Sequence, residues 1–321
     1  NIKKFIPCIL TILSAASLFT GCNSKETIEI GVSQLVQHNA LDAAYEGFVD
    51  GLKEAGYEDG KNIRIDYQNA QGDQGNANTI AAKFANDNVD LILAIATPAA
   101  QAAANATKNI PVLVTAVTDP AEAKLVASNE APGGNVTGTS DLTPVKKQFE
   151  LLKELLPEAE TVAMLYNSSE VNSGVQIEMA KEEAKNLGLK TVDASVSNSN
   201  EIQQVVQSLV EKADVIYAPT DNLIAAGMQT VTMVATPAGI PVICGESGMV
   251  DNGGFATYGI DYYNLGKLTA AQAVKIIEGK EKPAGMPIEY LADSELSVVI
   301  NGDLAKKLGI TIPEKYKDQV R

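Results

Sequence analysis

Strand-like and helix-like segments alternate along most of this chain of 321 residues. Short apolar runs typical of buried strands are followed by segments whose apolar residues recur at helical spacing, as at Leu41, Ala44, Phe48 and Leu52. The segments predicted in the first half are strands 28–33, 62–69, 90–96 and 111–117 and helices 40–55, 77–87 and 97–107. Those predicted in the second half are strands 161–167, 190–196, 214–219 and 240–245 and helices 175–187, 202–212 and 222–235. This order predicts an α/β protein in which helices cover both faces of parallel sheets.

One stretch of sequence occurs twice. GGNVTGTSD, residues 133–141, returns with changes as GGFATYGID, residues 253–261. The identical pairs are Gly133/Gly253, Gly134/Gly254, Thr137/Thr257 and Asp141/Asp261. Two further pairs of segments are similar in sequence, 90–97 with 214–220 and 110–116 with 240–246. These similarities predict an internal duplication, with chance similarity between two α/β halves as the alternative.

Each Gly-Gly stretch ends one half of the alternating pattern and precedes the start of a helix. We therefore expect residues 139–142 and 259–262 to cross between two lobes, and a third crossing near 293–301. The fold class predicted is α/β, with two Rossmann-like lobes whose parallel sheets are joined by three hinge crossings into a clamshell. The expected domains are lobe 1, residues 28–140 plus about 262–292, and lobe 2, residues 141–261 plus about 293–321.

Residues 1–21 have the pattern of a secretory signal peptide. Two lysines precede a short apolar stretch, Phe5–Phe19, which is short for a membrane span. A buried N-terminal helix is the alternative. The ending LFTGC resembles a bacterial lipobox, with Phe19 where leucine is usual. We expect lipidation of Cys22, a tether over residues 22–27, and attachment to the extracytoplasmic face of the cell membrane.

The chain is acidic, with a formal net charge of −15. Residues 1–21 carry two lysines and no acids, so the remainder has a charge of 23 − 40 = −17. This balance argues against binding to nucleic acid and against adhesion of the protein body to anionic lipids. The lipid anchor is then the only membrane contact that the sequence predicts.

Sequence motifs of common enzyme classes are missing. Neither a GxxxxGK phosphate loop nor a GxSxG elbow occurs, and His38 is the single histidine. Cys244, the one cysteine after Cys22, lies in an apolar run typical of a buried strand. One histidine and one body cysteine make neither a zinc cluster nor a catalytic triad. We therefore expect a monomeric binding protein that has no catalytic residues, metal or cofactor.

Polar residues follow the predicted strands where ligands bind in open α/β sheets, beyond the carboxyl ends of the strands. The candidate ligand-binding residues are Ser33, Gln34, Thr97, Ala99, Thr118 and Asp119 in lobe 1 and Tyr166, Asn167, Thr220, Asp221 and Glu246 in lobe 2. Hydroxyl groups and helix N–H groups in lobe 1 suit a carboxylate, and the acids of lobe 2 suit an ammonium group. Together they predict a zwitterion such as an amino acid.

Helix capping is the alternative role for many of these side chains. Thr143 before Pro144 resembles an N-cap followed by proline at the first helical position, and Asp261 is a second candidate N-cap. Whether Asp141 and Asp261 only cap helices or also face the cleft stays open. His38 is expected in a loop at the cleft mouth, as a solvated residue or as a ligand contact.

Three phrases, IATPAAQAA, TAVTDPAEAKLV and GGFATYGIDYYNLGKLTA, resemble one family. It is that of the ABC transporter substrate-binding lipoproteins, whose members include tryptophan- and aromatic-amino-acid-binding proteins. The resemblance runs from about Ile28 to the end. It implies a type I periplasmic-binding-protein fold and delivery of an amino acid, such as tryptophan or phenylalanine, to a permease with an ATPase. A ligand-sensing receptor subunit of the same fold is the alternative, as is a binding protein for a branched-chain amino acid, a purine or a sugar.

The resemblance also carries roles over to particular residues. It implies that the ATPA and VTD loops and the acid positions of lobe 2 hold the amino-acid backbone groups. Thr97, Ala99, Thr118 and Asp119 match the first loops, and Asn167, Thr220, Asp221 and Glu246 match the second set less closely. Relatives often have proline after the loop histidine, whereas Asn39 follows His38 here. That departure leaves the contacts at the cleft mouth open.

Overall fold

The computed structural model describes residues 27–321. The expected signal peptide, the lipidated Cys22 and the tether up to residue 26 lie outside the described residues. In the part of the chain that is described, no helix has both the length and the apolar character needed to cross a membrane.

The first lobe is built on a parallel sheet. Its strands are β1 (Ile28–Gln34), β2 (Ile63–Asn69), β3 (Leu91–Ile95), β4 (Val112–Val117) and β5 (Val136–Ser140). Three helices connect them, α1 (Asn39–Glu54), α2 (Gln74–Asp87) and α3 (Thr97–Ala106). The strand order is β2-β1-β3-β4-β5. Because successive side chains of a strand alternate between faces, Val32 packs toward α1 while the neighbouring Gly31 lies against Phe84 of α2.

The second lobe repeats this architecture. Its strands are β6 (Thr161–Asn167), β7 (Lys190–Val196), β8 (Val215–Ala218), β9 (Val242–Cys244), β10 (Ala256–Gly259) and β11 (Ser297–Ile300). Its helices are α4 (Val145–Leu155), α5 (Val171–Asn186), α6 (Ile202–Leu209), α7 (Asn222–Ala226), α8 (Met228–Ala235), α9 (Ser247–Asp251) and α11 (Gly302–Leu308). The strand order is β11-β10-β9-β8-β6-β7. Read from the other edge, β7-β6-β8-β9-β10 matches the order of the first sheet strand for strand.

The two sheets differ in one strand. β11 pairs with β10 in antiparallel direction, whereas the other paired strands of both sheets are parallel. The expectation of parallel sheets therefore holds except at this edge. β11 follows the last crossing, so its chain enters the second sheet from the hinge side and runs opposite to its neighbour.

The chain passes between the lobes three times. It leaves the first sheet after β5 to form α4, and leaves the second sheet after β10 to form α10 (Tyr262–Ile277). It enters the second sheet again at β11. Helix α10 packs on α1 of the first lobe, and glycines permit the close contact: a Cβ on Gly47 would overlap Tyr263 O, and one on Gly266 would overlap Ala44 O. The clamshell with three hinge crossings predicted from the sequence is thus present.

Three local predictions are wrong. The predicted helix 222–235 is interrupted at Gly227, where a Cβ would overlap Ile202 of the neighbouring helix. Helix α5 begins at Val171 rather than 175, since Ser173 and Gly174 are weak helix formers that hid its first turn. Within the described chain, Thr143 makes no cap contact with α4, and its buried Oγ1 has no hydrogen-bond partner.

Candidate functional site

A small cavity lies between the lobes at the carboxyl ends of the strands. Its lining residues are His38, Leu41, Ala116 and Tyr262 from the first lobe, Asp141 from the first crossing, and Thr220, Asp221, Asn222, Ala225 and Glu246 from the second lobe. Three of the predicted site residues, Thr220, Asp221 and Glu246, therefore line one space. The wall combines carboxyl groups with apolar side chains, which suits a ligand that carries a positive charge and an apolar part, and since the enclosed volume is only about 10 Å³, such a ligand would require the wall to move apart.

Threonines from both lobes meet beside this cavity. The hydroxyl of Thr118, which follows β4, lies 3.4 Å from the hydroxyl of Thr220, which follows β8. Gln176 of α5 donates to both hydroxyls, and its Oε1 accepts the Thr220 N–H at 2.9 Å. The predicted residues Thr118 and Thr220 are brought together, and their first role is to connect the two lobes.

Asp221 is a buried helix cap. Its Oδ1 accepts the Ile224 N–H of α7 at 2.8 Å. Its Oδ2 accepts the Asn167 N–H at 2.6 Å and the Ser173 hydroxyl at 2.7 Å. Burial raises the pKa of Asp221, and the nearby Glu170 raises it further. Both oxygens are thus engaged within the lobe, although carboxylate oxygens retain capacity for another donor.

Glu246 has the same kind of arrangement at α9. Its two oxygens accept the backbone N–H groups of Gly248 and, at 2.9 Å, of Met249. The side chain is buried, and this burial raises the pKa of Glu246 to about 7 against the lowering effect of the two N–H groups. The capping role that the sequence left open is therefore observed at both Asp221 and Glu246, at the wall of the cavity.

Asp141 differs from both of these acids. It is buried, and its Oδ2 accepts the Tyr262 hydroxyl at 2.7 Å. Among residues 27–321, its Oδ1 has no hydrogen-bond partner. Burial raises the pKa of Asp141 to about 6, more than the hydroxyl groups of Tyr262 and, at longer range, Thr118 lower it. An incompletely paired buried carboxyl group at a cavity wall is the feature of this site that most needs a cationic partner.

The predicted residues at the ends of β1 and β3 lie outside the cavity lining. Ser33 and Gln34 are buried, as are Thr97 and Ala99 in the first turn of α3. The Gln34 amide group donates to Val36 O and to Asp42 Oδ1. In the described chain, Ser33 Oγ, Gln34 Oε1 and Thr97 Oγ1 have no partners. A helix start has N–H groups that the helix itself does not satisfy, so this edge of the first lobe can hold an anion.

Asp119, Tyr166 and Asn167 are held by local contacts. The Asp119 carboxylate accepts the N–H groups of Ala121 and Glu122 and the amide of Asn129, which closes its loop. Tyr166 packs against the hydrophobic core beside α4 and α5. The Asn167 side chain accepts the N–H and hydroxyl groups of Ser169. None of the three is among the residues that line the cavity in the described structure.

His38 connects the lobes through an amide. Its Nε2 lies 3.3 Å from Asn222 Oδ1, and Asn222 Nδ2 donates to Glu170 Oε2 at 2.6 Å. Burial of the ring lowers the pKa of His38 to about 4, which keeps the imidazole neutral near pH 7. Sequence reasoning placed His38 at the cleft mouth without choosing a role. Asn222, Tyr262 and Asp141 line the cavity although they were not among the candidate ligand-binding residues. The sequence left open whether Asp141 faces the cleft, and the identical Asp141/Asp261 pair was the signal for it.

The family model described as ABC transporter substrate binding protein matches residues 29–319. The chain belongs to that family. A curated relative, the tyrosine-binding protein of Clostridioides difficile strain R20291, is 44% identical over 95% of this chain and 92% of its own length. The ABC domain in complex with L-Trp from Streptococcus pneumonia superposes with a TM-score of 0.89 at 41% identity, covering 92% of this chain and 100% of that chain.

A third comparison concerns the conformation of this substrate-binding protein. A ligand-free, open structure of a substrate-binding protein with adhesive properties from Clostridium difficile is 48% identical and covers 91% of this chain and 98% of that chain. Its TM-score is only 0.70. The complex with L-Trp is less similar in sequence but more similar in shape. The lobes of this protein are therefore arranged as in that complex, which agrees with the direct contacts Thr118–Thr220 and His38–Asn222 between them.

Membership of this family settles the class of function. The protein is an extracytoplasmic solute-binding component of an ABC transporter and not an enzyme. The fold class predicted from the sequence, the resemblance to the family and the expectation of a binding protein are confirmed.

Proposed function

We propose that this substrate-binding protein captures an aromatic amino acid between its lobes by hinge closure and delivers it to a permease that works with an ATPase. The single observation that carries the proposal is Asp141, a buried carboxyl group at the wall of the inter-lobe cavity whose Oδ1 has no partner among the described residues. A ligand ammonium group would supply that partner. The apolar wall formed by Leu41, Ala116 and Ala225 would contact the side chain of the ligand.

The ammonium group is assigned to Asp141 with Asp221 and Glu246 in supporting positions. All three acids line the cavity, but Asp221 and Glu246 already accept backbone N–H groups. Those hydrogen bonds hold the two carboxyl groups in place and share their negative charge with helix starts. Asp141 has the greater need of a cation, so its loss should weaken binding most.

The carboxylate group of the ligand is assigned to the first lobe. Ser33, Thr97 and the N–H of Ala99 lie at or near the start of α3, where a helix favours negative charge. The hydroxyls of Ser33 and Thr97 have no partners among residues 27–321. Thr118 would join this group from the neighbouring strand end. An amino acid held in this way would draw on both lobes, as closure by a ligand requires.

The relatives support an aromatic side chain. A protein 44% identical to this one is named for tyrosine binding, and a structure 41% identical contains L-Trp. Both ligands are aromatic amino acids with free ammonium and carboxylate groups, which agrees with the charges proposed for this site. Sugar-binding and inositol-binding structures share the fold at 16% identity or less, so they say nothing about the ligand here.

The location and domain boundaries complete the proposal. Cleavage after residue 21 and lipidation of Cys22 would anchor a monomeric protein to the outer face of the membrane. The moving units would be residues 28–140 with about 262–292, and residues 141–261 with about 293–321. Replacing Cys22 by serine should release the protein from the membrane fraction. Retention of the variant there would contradict the anchor.

Binding can be measured directly because the protein contains no tryptophan. Tryptophan excited near the red edge of its absorption should give a blue-shifted emission when the protein is added. Tyrosine, tryptophan and phenylalanine should be tested by isothermal calorimetry and thermal unfolding, and a ligand at 100 times its Kd stabilises by about 2.7 kcal/mol. Tyramine and 3-(4-hydroxyphenyl)propionate, each lacking one charged group, are the controls and should bind much more weakly. No heat and no stabilisation with any of the three at millimolar concentration would rule out the proposal.

A further inference from the structure

The side chains around His38 determine which of its ring nitrogens carries hydrogen. Asn222 Nδ2 donates to the Glu170 carboxylate at 2.6 Å, so the other end of the amide, Oδ1, is turned toward the histidine. Since Oδ1 can only accept, the Nε2 of His38 at 3.3 Å must donate. In a neutral imidazole the other nitrogen is then an acceptor. Glu170 thus acts through Asn222 to make Nδ1 of His38 a hydrogen-bond acceptor.

This acceptor has nothing to accept from within the protein. His38 Nδ1 is buried and has no hydrogen-bond partner among residues 27–321. His38 is also one of the residues that line the inter-lobe cavity, as are the apolar residues Leu41 and Ala225. A buried acceptor without a donor is unfavourable, and a ligand donor at this wall would remove the cost.

The chemistry of the site favours a neutral donor at this position. An ammonium group needs a negatively charged partner when buried, and the carboxyl groups of Asp141, Asp221 and Glu246 line the same cavity. The imidazole is neutral and has apolar neighbours, so it suits an O–H or N–H group at the end of an apolar side chain. Tyrosine has such a donor in its phenol and tryptophan in its indole. Phenylalanine has none.

We propose that His38 is a specificity-determining residue, whose Nδ1 accepts a hydrogen bond from the ring donor of a bound aromatic amino acid and so selects tyrosine or tryptophan over phenylalanine. This inference rests on the proposed function, because it requires an aromatic amino acid in the cavity. It narrows the ligand class from aromatic amino acids in general to those with a ring O–H or N–H. Asn222 and Glu170 are positioning residues that hold the ring in the accepting form.

The test compares two ligands on three proteins. Calorimetry should measure Kd for tyrosine and phenylalanine with the wild type, with His38→Leu, and with Gln37→Leu, a control at an exposed residue of the same loop. The wild type should bind tyrosine at least about 10-fold more tightly than phenylalanine, since phenylalanine lacks the hydroxyl group and would leave the buried Nδ1 of His38 without a hydrogen bond. In His38→Leu the two values of Kd should differ by less than about 3-fold, since loss of the contact between His38 and Asn222 affects closure around both ligands alike. Gln37→Leu should keep the wild-type ratio.

A pH series gives a second readout that a purely structural role would not produce, because the tyrosine preference should be lost as the pH falls through the pKa of His38 and the ring ceases to accept. Because burial lowers the pKa of His38 to about 4, the tyrosine preference should be the same at pH 7.5 and pH 5.5. A histidine with its ordinary pKa of 6.5 would be mainly protonated at pH 5.5 and would no longer accept. The ionisable groups around the ring are Asp42 on its own helix and, across the cavity, Asp141, Asp221, Glu246 and Tyr262, with Glu170 behind Asn222. Titration of these groups acts on both ligands and cancels in the ratio.

The outcomes separate the two proposals. An unchanged preference in His38→Leu, an equal loss of both ligands in that variant, or a wild-type preference that persists well below the pKa of His38 would overturn the role of His38 while leaving aromatic binding intact. A wild-type protein that binds neither tyrosine, tryptophan nor phenylalanine would overturn the proposed function, and the selectivity with it. Should the leucine variant fold poorly, as judged by thermal unfolding, His38→Phe, which also lacks the ring acceptor, provides the same comparison.

Discussion

The two Gly-Gly stretches occupy equivalent places in the two lobes. Each leads into the fifth strand of its lobe, β5 or β10, and each fifth strand lies beside the fourth in a sheet of the same order. Gly133 and Gly253 both adopt positive φ, at 76° and 103°. The positive φ of the first glycine and the position of the following strand are therefore the same in both copies, as an internal duplication predicts.

The ends of the two stretches have different roles. Asp261 is exposed and caps α10, accepting the Asn264 N–H at 3.1 Å. Asp141 is buried at the cavity wall, and the hydroxyl that it accepts belongs to Tyr262, the residue directly after the other aspartate. Asp261 thus caps a helix at the edge of an exposed pocket, whereas Asp141 lines the closed cavity between the lobes. Residues at equivalent positions of a duplicated fold can therefore have different roles, because each role depends on the contacts that form between the lobes.

The largest expected effect separates the two aspartates. Asp141→Ala should weaken tyrosine binding about 30-fold or more, because removing one member of a buried charge pair costs about 2–5 kcal/mol. Asp261→Ala should change the Kd by less than about 2-fold and lower the free energy of unfolding by about 1 kcal/mol through loss of the cap. Calorimetry with tyrosine and urea unfolding of the ligand-free variants provide both numbers.

The controls for this pair come from the other acids of the cavity. Asp221→Asn and Glu246→Gln keep the size of each side chain while removing its charge. If either substitution weakens binding more than Asp141→Asn does, the ligand ammonium group is bound by the acids of lobe 2, as the sequence first suggested. Equal losses from Asp141→Ala and Asp261→Ala would remove the distinction between the two stretches.

The fold could be predicted because its signals are local and repeated. The alternation of apolar runs with segments of helical periodicity identified the strands and helices, and the two Gly-Gly stretches located two of the crossings. The antiparallel direction of β11 could not be predicted, since the sequence of a four-residue strand after a crossing does not indicate whether it runs parallel or antiparallel to its neighbour. The break at Gly227 depends on a contact with Ile202, which lies in another helix.

The site was predicted less completely for a related reason. Residues after strand ends can be found from the sequence, which is how Thr220, Asp221 and Glu246 were chosen. Whether such a side chain caps its own helix, as Glu246 does, or faces the other lobe, as Asp141 does, depends on partners distant in the chain. The contact between Asp141 and Tyr262 spans the whole second lobe, so no local pattern reports it.

The second glycines of the two stretches provide the next test. A Cβ on Gly254 would overlap the Sγ of Cys244 and lie 2.9 Å from Met249 O, whereas one on Gly134 would meet nothing within 4 Å. Gly254→Ala should therefore lower the free energy of unfolding by about 1–3 kcal/mol, as overpacking of a core does. Gly134→Ala should stay within about 0.5 kcal/mol of the wild type. Urea unfolding followed by circular dichroism measures both.

Gly133 and Gly253, the first glycines of the two stretches, are the control for this comparison, because the same effect is expected in both copies. Both have positive φ, so Gly133→Ala and Gly253→Ala should each destabilise the protein. A neutral Gly254→Ala beside a costly Gly134→Ala would show that the packing of the two copies has been assigned the wrong way round.

The smallest effect expected is a pH dependence that belongs to one stretch only. Burial raises the pKa of Asp141 to about 6 in the ligand-free protein, above the value of 3.8 for an exposed aspartate. A raised carboxyl pKa means that the group's favourable contribution to folding is fully present below about pH 3.8 and is lost as the pH rises through 6. Binding has the opposite sign, because an ammonium group pairs with the ionised form.

Tyrosine affinity should therefore rise by about 10-fold between pH 5 and pH 7 and then level off, since about nine-tenths of a group of pKa 6 is protonated at pH 5. Calorimetry in two buffers of different ionisation enthalpy should show proton release on binding near pH 6. Asp261→Asn should keep this profile, and Asp141→Asn should abolish it. A step that remains near pH 7 in Asp141→Asn would point instead to Glu246 or Asp221, whose pKa values burial also raises. Because the two aspartates occupy equivalent positions of the repeated stretch, a difference between the pH profiles of their variants reports what the closed lobes place around each of them.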